Sequence, residues 1–176
     1  MRFATDAALG KLGRCLRAAG FDTRCQHQSR RGDFFQAMAA NRIILTRSTK
    51  IREAFGHRPL LFIQDNDPGQ QFRQVVQALG IRPTDMRPFS RCLLCNRVVR
   101  RLDRNRVRGK VPEYIWEHRQ AFHACPGCQR IYWAGSHRDH FVDQLAAVFK
   151  QNGSVEGPFS DGSIKGPRSR LANPAE

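Results

Sequence analysis

Two pairs of cysteines constrain this chain more than any other feature. Cys92 and Cys95 form one C-x-x-C pair, Cys125 and Cys128 form a second, and residues 96–124 separate the two. Two residues between thiolates allow a tight turn, a zinc knuckle, to direct both sulfurs at one ion, and two knuckles complete a tetrahedral shell. Because a four-sulfur shell has no open position, we expect a structural Zn²⁺ and a zinc ribbon over residues 89–148. Gly127 lies in the second knuckle, where we expect a positive φ.

The charge of the chain indicates a polyanionic partner. Its 176 residues carry 30 Lys and Arg against 15 Asp and Glu, a formal net charge of +15. Such a surface attracts nucleic acid or an anionic membrane without reading sequence. The alternative is a basic surface with no specific partner, and we favour nucleic acid, RNA above DNA.

The chain carries no sign of membrane insertion or secretion. No apolar run approaches the roughly 18 residues of a spanning helix. The amino terminus acquires the carboxylate of Asp6 too early for a signal peptide. We therefore expect a cytoplasmic protein in which the cysteines are metal ligands or free thiols.

A basic segment between the cysteine pairs is the candidate RNA-binding surface. Its cations stand against the single acid Asp103, and they would repel one another unless an anion neutralised them. They are Arg97, Arg100, Arg101, Arg104, Arg106, Arg108 and Lys110. The alternative is a solvated surface. Tyr132 and Trp133, after the second knuckle, either stack on unpaired bases or pack against the metal site.

The first 88 residues alternate short apolar runs with amphipathic ones, which indicates an α/β domain with a mostly parallel sheet. Strands are expected at residues 2–5, 21–25, 42–46 and 60–63. Helices are expected at residues 7–19, 33–40 and 68–79. After Phe149 the chain is rich in Gly, Ser, Pro and Asn, and we expect a disordered basic tail over residues 149–176.

Four acids lie where such a sheet places its ligands, beyond the carboxyl ends of the strands. They are Asp6, Asp33, Asp65 and Asp67. Carboxylates that converge there can hold Mg²⁺ or Mn²⁺ against a phosphodiester. Aspartate is also favoured at helix starts because it caps free backbone amides. From the residues alone both interpretations stay open.

The order of several motifs resembles the Mut-seven C-terminal RNase domain family, a PIN-like nuclease fold fused to a zinc ribbon. The similarity spans about residues 2–140 and rests on Phe3–Arg17 with Gly20-Phe21-Asp22-Thr23, then Ile43–Arg47, Arg91-Cys92, Cys95-Asn96, Val111-Pro112, Cys125–Cys128 and Tyr132–His137. The resemblance implies a metal-dependent endoribonuclease in which Asp6 matches the first acid and Asp33 the second.

The chain departs from the family pattern at Ser48, because the family usually has Leu-Thr-Arg-Asp where this chain has Leu-Thr-Arg-Ser. Serine caps a helix but brings no charge to a metal. Asp65 or Asp67 is a candidate to compensate. Two hypotheses follow: an endoribonuclease that binds RNA through its basic ribbon, or a catalytically inactive RNA-binding protein that keeps the fold.

Overall fold

The computed structural model describes residues 1–26 and 33–150. It confirms an α/β domain with a parallel four-stranded sheet, followed by a small antiparallel sheet beside the four cysteines. The larger sheet has the strand order β2-β1-β3-β4. Its strands are β1 (Arg2–Thr5), β2 (Asp22–Cys25), β3 (Ile43–Thr46) and β4 (Leu60–Phe62). The helices α1 (Gly10–Ala18), α2 (Thr49–Phe55) and α3 (Pro68–Ala78) connect or follow these strands.

Alternation along the strands sends neighbouring side chains into two cores. Phe3 and Leu45 pack on one face with apolar residues of α1 and α3. Ala4 and Ile44 face the other side and pack with Phe34 and other residues near α2. Because helices or turns cover both faces, the central strands β1 and β3 are mostly buried, as strands of parallel sheets usually are, whereas the edge strand β2 carries Asp22 and the exposed Arg24.

Residues 33–40 form turns instead of the expected helix, so that prediction was wrong. The guanidinium of Arg58 donates to the backbone oxygens of Phe35, Met38 and Ala39 at 2.6, 3.1 and 2.9 Å. Of these carbonyls, Phe35 O is the one that a regular helix would pair with Ala39 N; here it accepts from Arg58 and, at 3.3 Å, from Met38 N. Helix α2, which the apolar pattern does not mark, begins at Thr49, and Ser48 is its N-cap, as expected of a serine there.

The second sheet builds the ribbon. It contains β5 (Arg100–Leu102), β6 (Phe122–Ala124) and β7 (Ile131–Trp133) in sequential antiparallel order. Helix α4 (Glu113–His118) lies between β5 and β6 in the chain. Val107, Ile115 and Phe122 form a small core in this unit.

Helix α5 (Ser136–Lys150) returns the chain to the first domain. Its Leu145, Val148 and Phe149 belong to the same apolar core as Phe3 and Leu45. The expected boundaries at residues 88 and 148 stay predictions, and the predicted disordered tail lies outside the described residues from 151 onwards. Within the described residues, no helix is long and apolar enough to cross a bilayer.

Candidate metal centre and nuclease site

The four cysteines converge as the sequence predicts. The sulfurs of Cys92, Cys95, Cys125 and Cys128 all lie within 4.8 Å of one another. Cys92 Sγ lies 3.5 Å from Cys128 Sγ, and Cys95 Sγ lies 3.2 Å from Cys125 Sγ. A zinc ion about 2.3 Å from each sulfur sets tetrahedral sulfurs about 3.8 Å apart, so this donor set fits structural zinc.

The two knuckles repeat one backbone pattern. Cys92 N donates to Arg97 O at 2.8 Å, and Cys125 N donates to Arg130 O at 3.0 Å. In each knuckle the residue after the second cysteine takes a positive φ, 67° at Asn96 and 57° at Gln129.

Gly127 is not a positive-φ residue, so the expected reason for a glycine there was wrong. Its lack of a side chain leaves room for Arg97 instead. A Cβ at position 127 would stand 2.6 Å from Cδ of Arg97, whose side chain lies across this knuckle.

Hydrogen bonds prepare Cys92 to bind metal as a thiolate. Burial acts to raise the pKa of Cys92, but donors from Cys95 N and Tyr132 OH outweigh it and lower that pKa to about 6. The Tyr132 hydroxyl lies 3.0 Å from Cys92 Sγ and accepts from Leu93 N at 3.3 Å. Burial and the nearby sulfur raise the pKa of Tyr132, which keeps its hydroxyl protonated as a donor.

The first knuckle is fixed to the edge of the parallel sheet by a buried arginine. Arg17 on α1 is 1% exposed and donates to Leu93 O at 3.0 Å and to Leu94 O at 2.6 Å. Its Nε donates to Thr23 O on β2 at 2.8 Å. Because one guanidinium satisfies carbonyls of both units, the metal centre and the α/β domain form a continuous hydrogen-bonded structure.

The carboxylate of Asp6 lies at the carboxyl ends of the parallel strands, between β1 and β3. Its side chain is almost fully buried, since the residue is 4% exposed. Oδ1 accepts from Leu9 N at 3.1 Å, which caps the short 3₁₀ helix at Ala7–Leu9. Oδ2 accepts from Thr46 Oγ1 and from Arg47 N, both at 2.7 Å.

Ser48 is linked to the Asp6 carboxylate through the hydroxyl of Thr46. Its backbone N donates to Thr46 Oγ1 at 3.0 Å, and Thr46 in turn donates to Asp6. Its own Oγ accepts from Ile51 N at 3.4 Å and caps α2. The residue that departs from the family motif therefore lies beside Asp6, where the strand order reverses between β1 and β3 and ligands of such sheets bind.

The other three candidate acids, Asp33, Asp65 and Asp67, are exposed. Asp65 and Asp67 follow β4, which β3 separates from β1, about two strand spacings or 10 Å. Asp65 Oδ1 accepts from Asp67 N at 2.8 Å, and Asp67 Oδ1 accepts from Gln70 N at 3.0 Å as the cap of α3. Asp33 begins the turns of residues 33–40. In the described parts of the chain, the cysteine cluster is the only group of three or more side chains placed to share an ion.

Comparison with known families decides where this arrangement belongs. The model of the Mut7-C RNAse domain matches residues 1–145, which include Asp6, Ser48 and all four cysteines. The chain belongs to the Mut7-C RNAse domain family. No curated protein and no solved structure matches it. The resemblance found in the sequence is confirmed.

The basic segment of this Mut7-C chain divides into structural and exposed cations. Arg104 donates to Trp116 O at 2.8 Å and lies 4.3 Å from the centre of the Trp116 ring, and Arg108 lies 4.8 Å from that centre. Arg104 thus helps to hold α4. The other predicted contacts are exposed: Arg97, Arg100, Arg101, Arg106, Arg108 and Lys110.

The two aromatic residues after the second knuckle are half-buried in the ribbon of this family member. Tyr132 packs with Cys92 and Cys125, so the alternative of packing against the metal site is confirmed for it. Trp133 packs against the core of Val107 and Phe122.

Sequence reasoning gave no structural role to three residues that support the ribbon of this Mut7-C protein: Arg17, Asn96 and Trp116. Arg17 lies in an amphipathic helix and looks like a surface cation until the knuckle is placed against it. Asn96 directly follows the first cysteine pair. Asparagine tolerates a positive φ better than most residues, and this preference is the one sequence signal for its place in the knuckle turn.

Proposed function

We propose that this Mut7-C protein is a metal-dependent endoribonuclease that binds RNA through its basic zinc ribbon. The observation that carries the proposal is Asp6, a buried carboxylate between β1 and β3 at the ligand-binding edge of the sheet, in a member of an RNAse domain family. The proposal places this activity in the cytoplasm.

Mg²⁺ suits a site with few carboxylates. It is commonly held by one or two carboxylates together with waters and substrate phosphates. Asp6 supplies one carboxylate, and Asp33 is the candidate for the second, with Asp65 and Asp67 as alternatives from the far strand. Bound Mg²⁺ or Mn²⁺ would supply an activated water and charge stabilisation to phosphodiester hydrolysis.

The remaining chemistry comes from the chain itself. Thr46 and Arg47 N hold Oδ2 of Asp6, and Leu9 N holds Oδ1, so the carboxylate is fixed in one orientation. A pre-oriented charge needs no reorganisation when the substrate arrives. The exposed arginines of the ribbon contact RNA phosphates, which sets affinity and position but not sequence preference.

The hydrogen bonds of Asp6 and the serine at position 48 also favour a second function. Both oxygens of Asp6 already accept hydrogen bonds, and the neighbouring position carries Ser48 in place of an acid. Such a carboxylate stabilises the 3₁₀ helix and the turn after β3 whether or not it binds metal. The alternative is therefore an RNA-binding protein that has lost hydrolysis.

The deciding experiment is cleavage of an RNA with single-stranded and structured parts by the purified protein. It is run with Mn²⁺, with Mg²⁺ and with neither, alongside Asp6→Asn and Asp33→Asn. The endoribonuclease cuts only with metal, and both variants lose cutting while they retain RNA affinity. Salt-sensitive binding without cutting under any condition establishes the alternative.

A control for folding accompanies Asp6→Asn, because the amide NH₂ of asparagine would face a backbone N–H, either that of Arg47 or that of Leu9, and could not bond to it. Asp33 is exposed, so Asp33→Asn does not place an amide in a buried position. Asp103→Asn in the ribbon matches the change in charge outside the site. Equal cleavage by the parent, Asp6→Asn and Asp103→Asn contradicts the assignment of Asp6.

A further inference from the structure

A cleft of about 840 Å³ lies between the edge of β2, the turns of residues 33–40 and the first zinc knuckle. Its volume is in the range of sites that hold a small organic molecule or a nucleotide. We propose that this cleft binds an unpaired nucleotide of single-stranded RNA and delivers the strand to the Asp6 side of the sheet. The inference rests on the proposed RNA binding and adds the path that the strand takes.

The cationic part of the cleft comes from both units of the chain. Arg24 lies on β2, whereas Arg91 and Arg97 flank the first knuckle. Arg24 and Arg97 are exposed, and neither lies within salt-bridge distance of an acid in the described residues. Unneutralised guanidinium groups that converge on a cleft favour a phosphate backbone.

The one acid in the cleft is already neutralised. Asp22 Oδ1 accepts from Arg42 NH1 and Oδ2 accepts from Arg42 NH2, both at 3.0 Å. Asn96 Nδ2 also donates to Asp22 Oδ1 at 2.7 Å. Arg42 cancels the charge of Asp22, and the four arginines of the lining outnumber the net charge of about −2 of a zinc ion with four thiolates, so the cleft stays positive.

Another part of the lining is apolar, which distinguishes this cleft from a simple phosphate site. Ala37 and Met38 contribute its accessible part from the turns of residues 33–40, and Phe34 lies behind them, 4% exposed. In a duplex the bases are stacked inside and unavailable to such a surface, whereas unpaired bases pack against apolar and aromatic side chains. Cationic and apolar linings together therefore select a single strand.

The position of the cleft links it to the nuclease site. Cys25, which lines the cleft, is paired with Thr5 in the parallel sheet, and Asp6 follows Thr5 directly. Neighbouring strands are about 4.8 Å apart, so one strand spacing separates β2 at the cleft from the strand that leads to Asp6. Gln26 Oε1 accepts from Ala7 N at 3.2 Å, so the residue after β2 is hydrogen-bonded to the residue after Asp6.

The test measures affinity for a short oligouridylate by fluorescence anisotropy, with no added Mg²⁺ or Mn²⁺ so that cleavage plays no part. Arg24→Gln is compared with Arg82→Gln, which removes the same charge from a side chain that is 76% exposed outside the cleft. We expect Arg24→Gln to bind several-fold more weakly and to lower the slope of log K against log salt by about 0.7. Arg82→Gln should bind like the parent.

A steric pair tests the cleft without changing charge. Ala37→Trp fills it, whereas Ala39→Trp changes an exposed alanine of the same turns outside the lining. We expect Ala37→Trp to weaken binding of the single strand several-fold and Ala39→Trp to leave it unchanged.

Three outcomes overturn the proposal: no binding of single-stranded RNA, equal affinities of Arg24→Gln and Arg82→Gln, or equal affinities of the two Trp variants. Cleft-dependent binding without metal-dependent cleavage supports the cleft and contradicts the nuclease. Metal-dependent cleavage with cleft variants that bind like the parent contradicts the cleft and leaves the nuclease standing.

Discussion

The side chain of Asn96 donates a hydrogen bond of 2.7 Å to Oδ1 of Asp22, joining the first zinc knuckle to the edge strand of the parallel sheet. Its Oδ1 also accepts from Thr23 N at 3.0 Å. Thr23 is fully buried, and β2 is the edge strand of this sheet in the described residues, so no further strand there accepts from Thr23 N. One asparagine with φ of 67° therefore completes the knuckle turn and satisfies the sheet edge.

Replacement of Asn96 by glycine separates these two roles. Asn96→Gly keeps the positive φ but removes both hydrogen bonds and leaves Thr23 N buried without an acceptor, which should cost about 1–3 kcal/mol of unfolding free energy. Gln129→Gly is the matched control, because Gln129 has the same backbone role in the second knuckle. We expect its effect to stay within about 0.5 kcal/mol. Equal losses in urea unfolding of the two variants contradict the role of the Asn96 side chain.

The sequence was sufficient for features whose determinants are local. Each C-x-x-C pair contains its own turn, and Arg2–Thr5 and Ile43–Thr46 are short apolar runs that a sheet covered on both faces requires. Pro68 at the first position of α3 with Asp67 as N-cap is an equally local signal.

Features that depend on distant residues could not be predicted in this way. Arg17 contacts Leu94, 77 positions away, and only the folded knuckle gives this cation its carbonyl partners. Arg58 likewise donates to Phe35 O, the carbonyl that a helix at residues 33–40 would pair with Ala39 N. Asp65 and Asp67 are candidates because they follow a predicted strand, but strand order, which separates them from Asp6, is not visible in the pattern.

The ion pair of Asp22 makes stability depend on pH in the acidic range. Burial acts to raise the pKa of Asp22, but hydrogen bonds from Arg42 and Asn96 outweigh it and lower that pKa to about 2 from 3.8. A carboxyl whose pKa is lower in the folded state stabilises the protein above the unfolded value and loses that contribution as pH falls through the folded value. We expect Asp22→Asn to be less stable than the parent at neutral pH. Between about pH 4 and 2 the difference should narrow, as thermal melting at several pH values will show. A difference that stays constant over this range contradicts the assignment.

Removal of one zinc ligand should loosen the parallel sheet as well as the ribbon. Cys125→Ser opens the four-sulfur shell, whereas Cys15→Ser changes a thiol outside the metal cluster. We expect metal analysis to find bound zinc in the parent and in Cys15→Ser but not in Cys125→Ser. Loss of zinc should also disorder the first knuckle, which then no longer holds Asn96 against Thr23 N. Hydrogen exchange at Thr23 N should therefore rise in Cys125→Ser and not in Cys15→Ser. Full zinc content in Cys125→Ser contradicts the four-sulfur site.

Gly20 is required where the backbone after α1 contacts the backbone of Arg87, which precedes the ribbon. It has φ of 98°, and a Cβ at this position would clash with the backbone oxygen of Arg87. Gly20→Ala should therefore lower the unfolding free energy by about 2 kcal/mol or more. Gly80 also has a positive φ, 58°, but its Cβ would meet no atom within 4 Å. Gly80→Ala should cost only about 1 kcal/mol, and equal losses in denaturant unfolding show that the contact with Arg87 is unimportant.

Ser48→Asp restores the charge that the family motif carries beside Asp6. Position 48 is the N-cap of α2, and Asp caps as well as Ser does, so the melting temperature should hardly change. Ser48→Asn is the matched control, since it caps equally but brings no charge. If the site hydrolyses RNA and lacks one ligand, Ser48→Asp should raise metal-dependent cleavage by about tenfold or more over both the parent and Ser48→Asn. The extra carboxylate also tightens metal binding, so the Mn²⁺ concentration for half-maximal cleavage should fall. Equal rates for Ser48→Asp and Ser48→Asn mean that position 48 does not contribute to a metal site, because the two variants differ there only in charge.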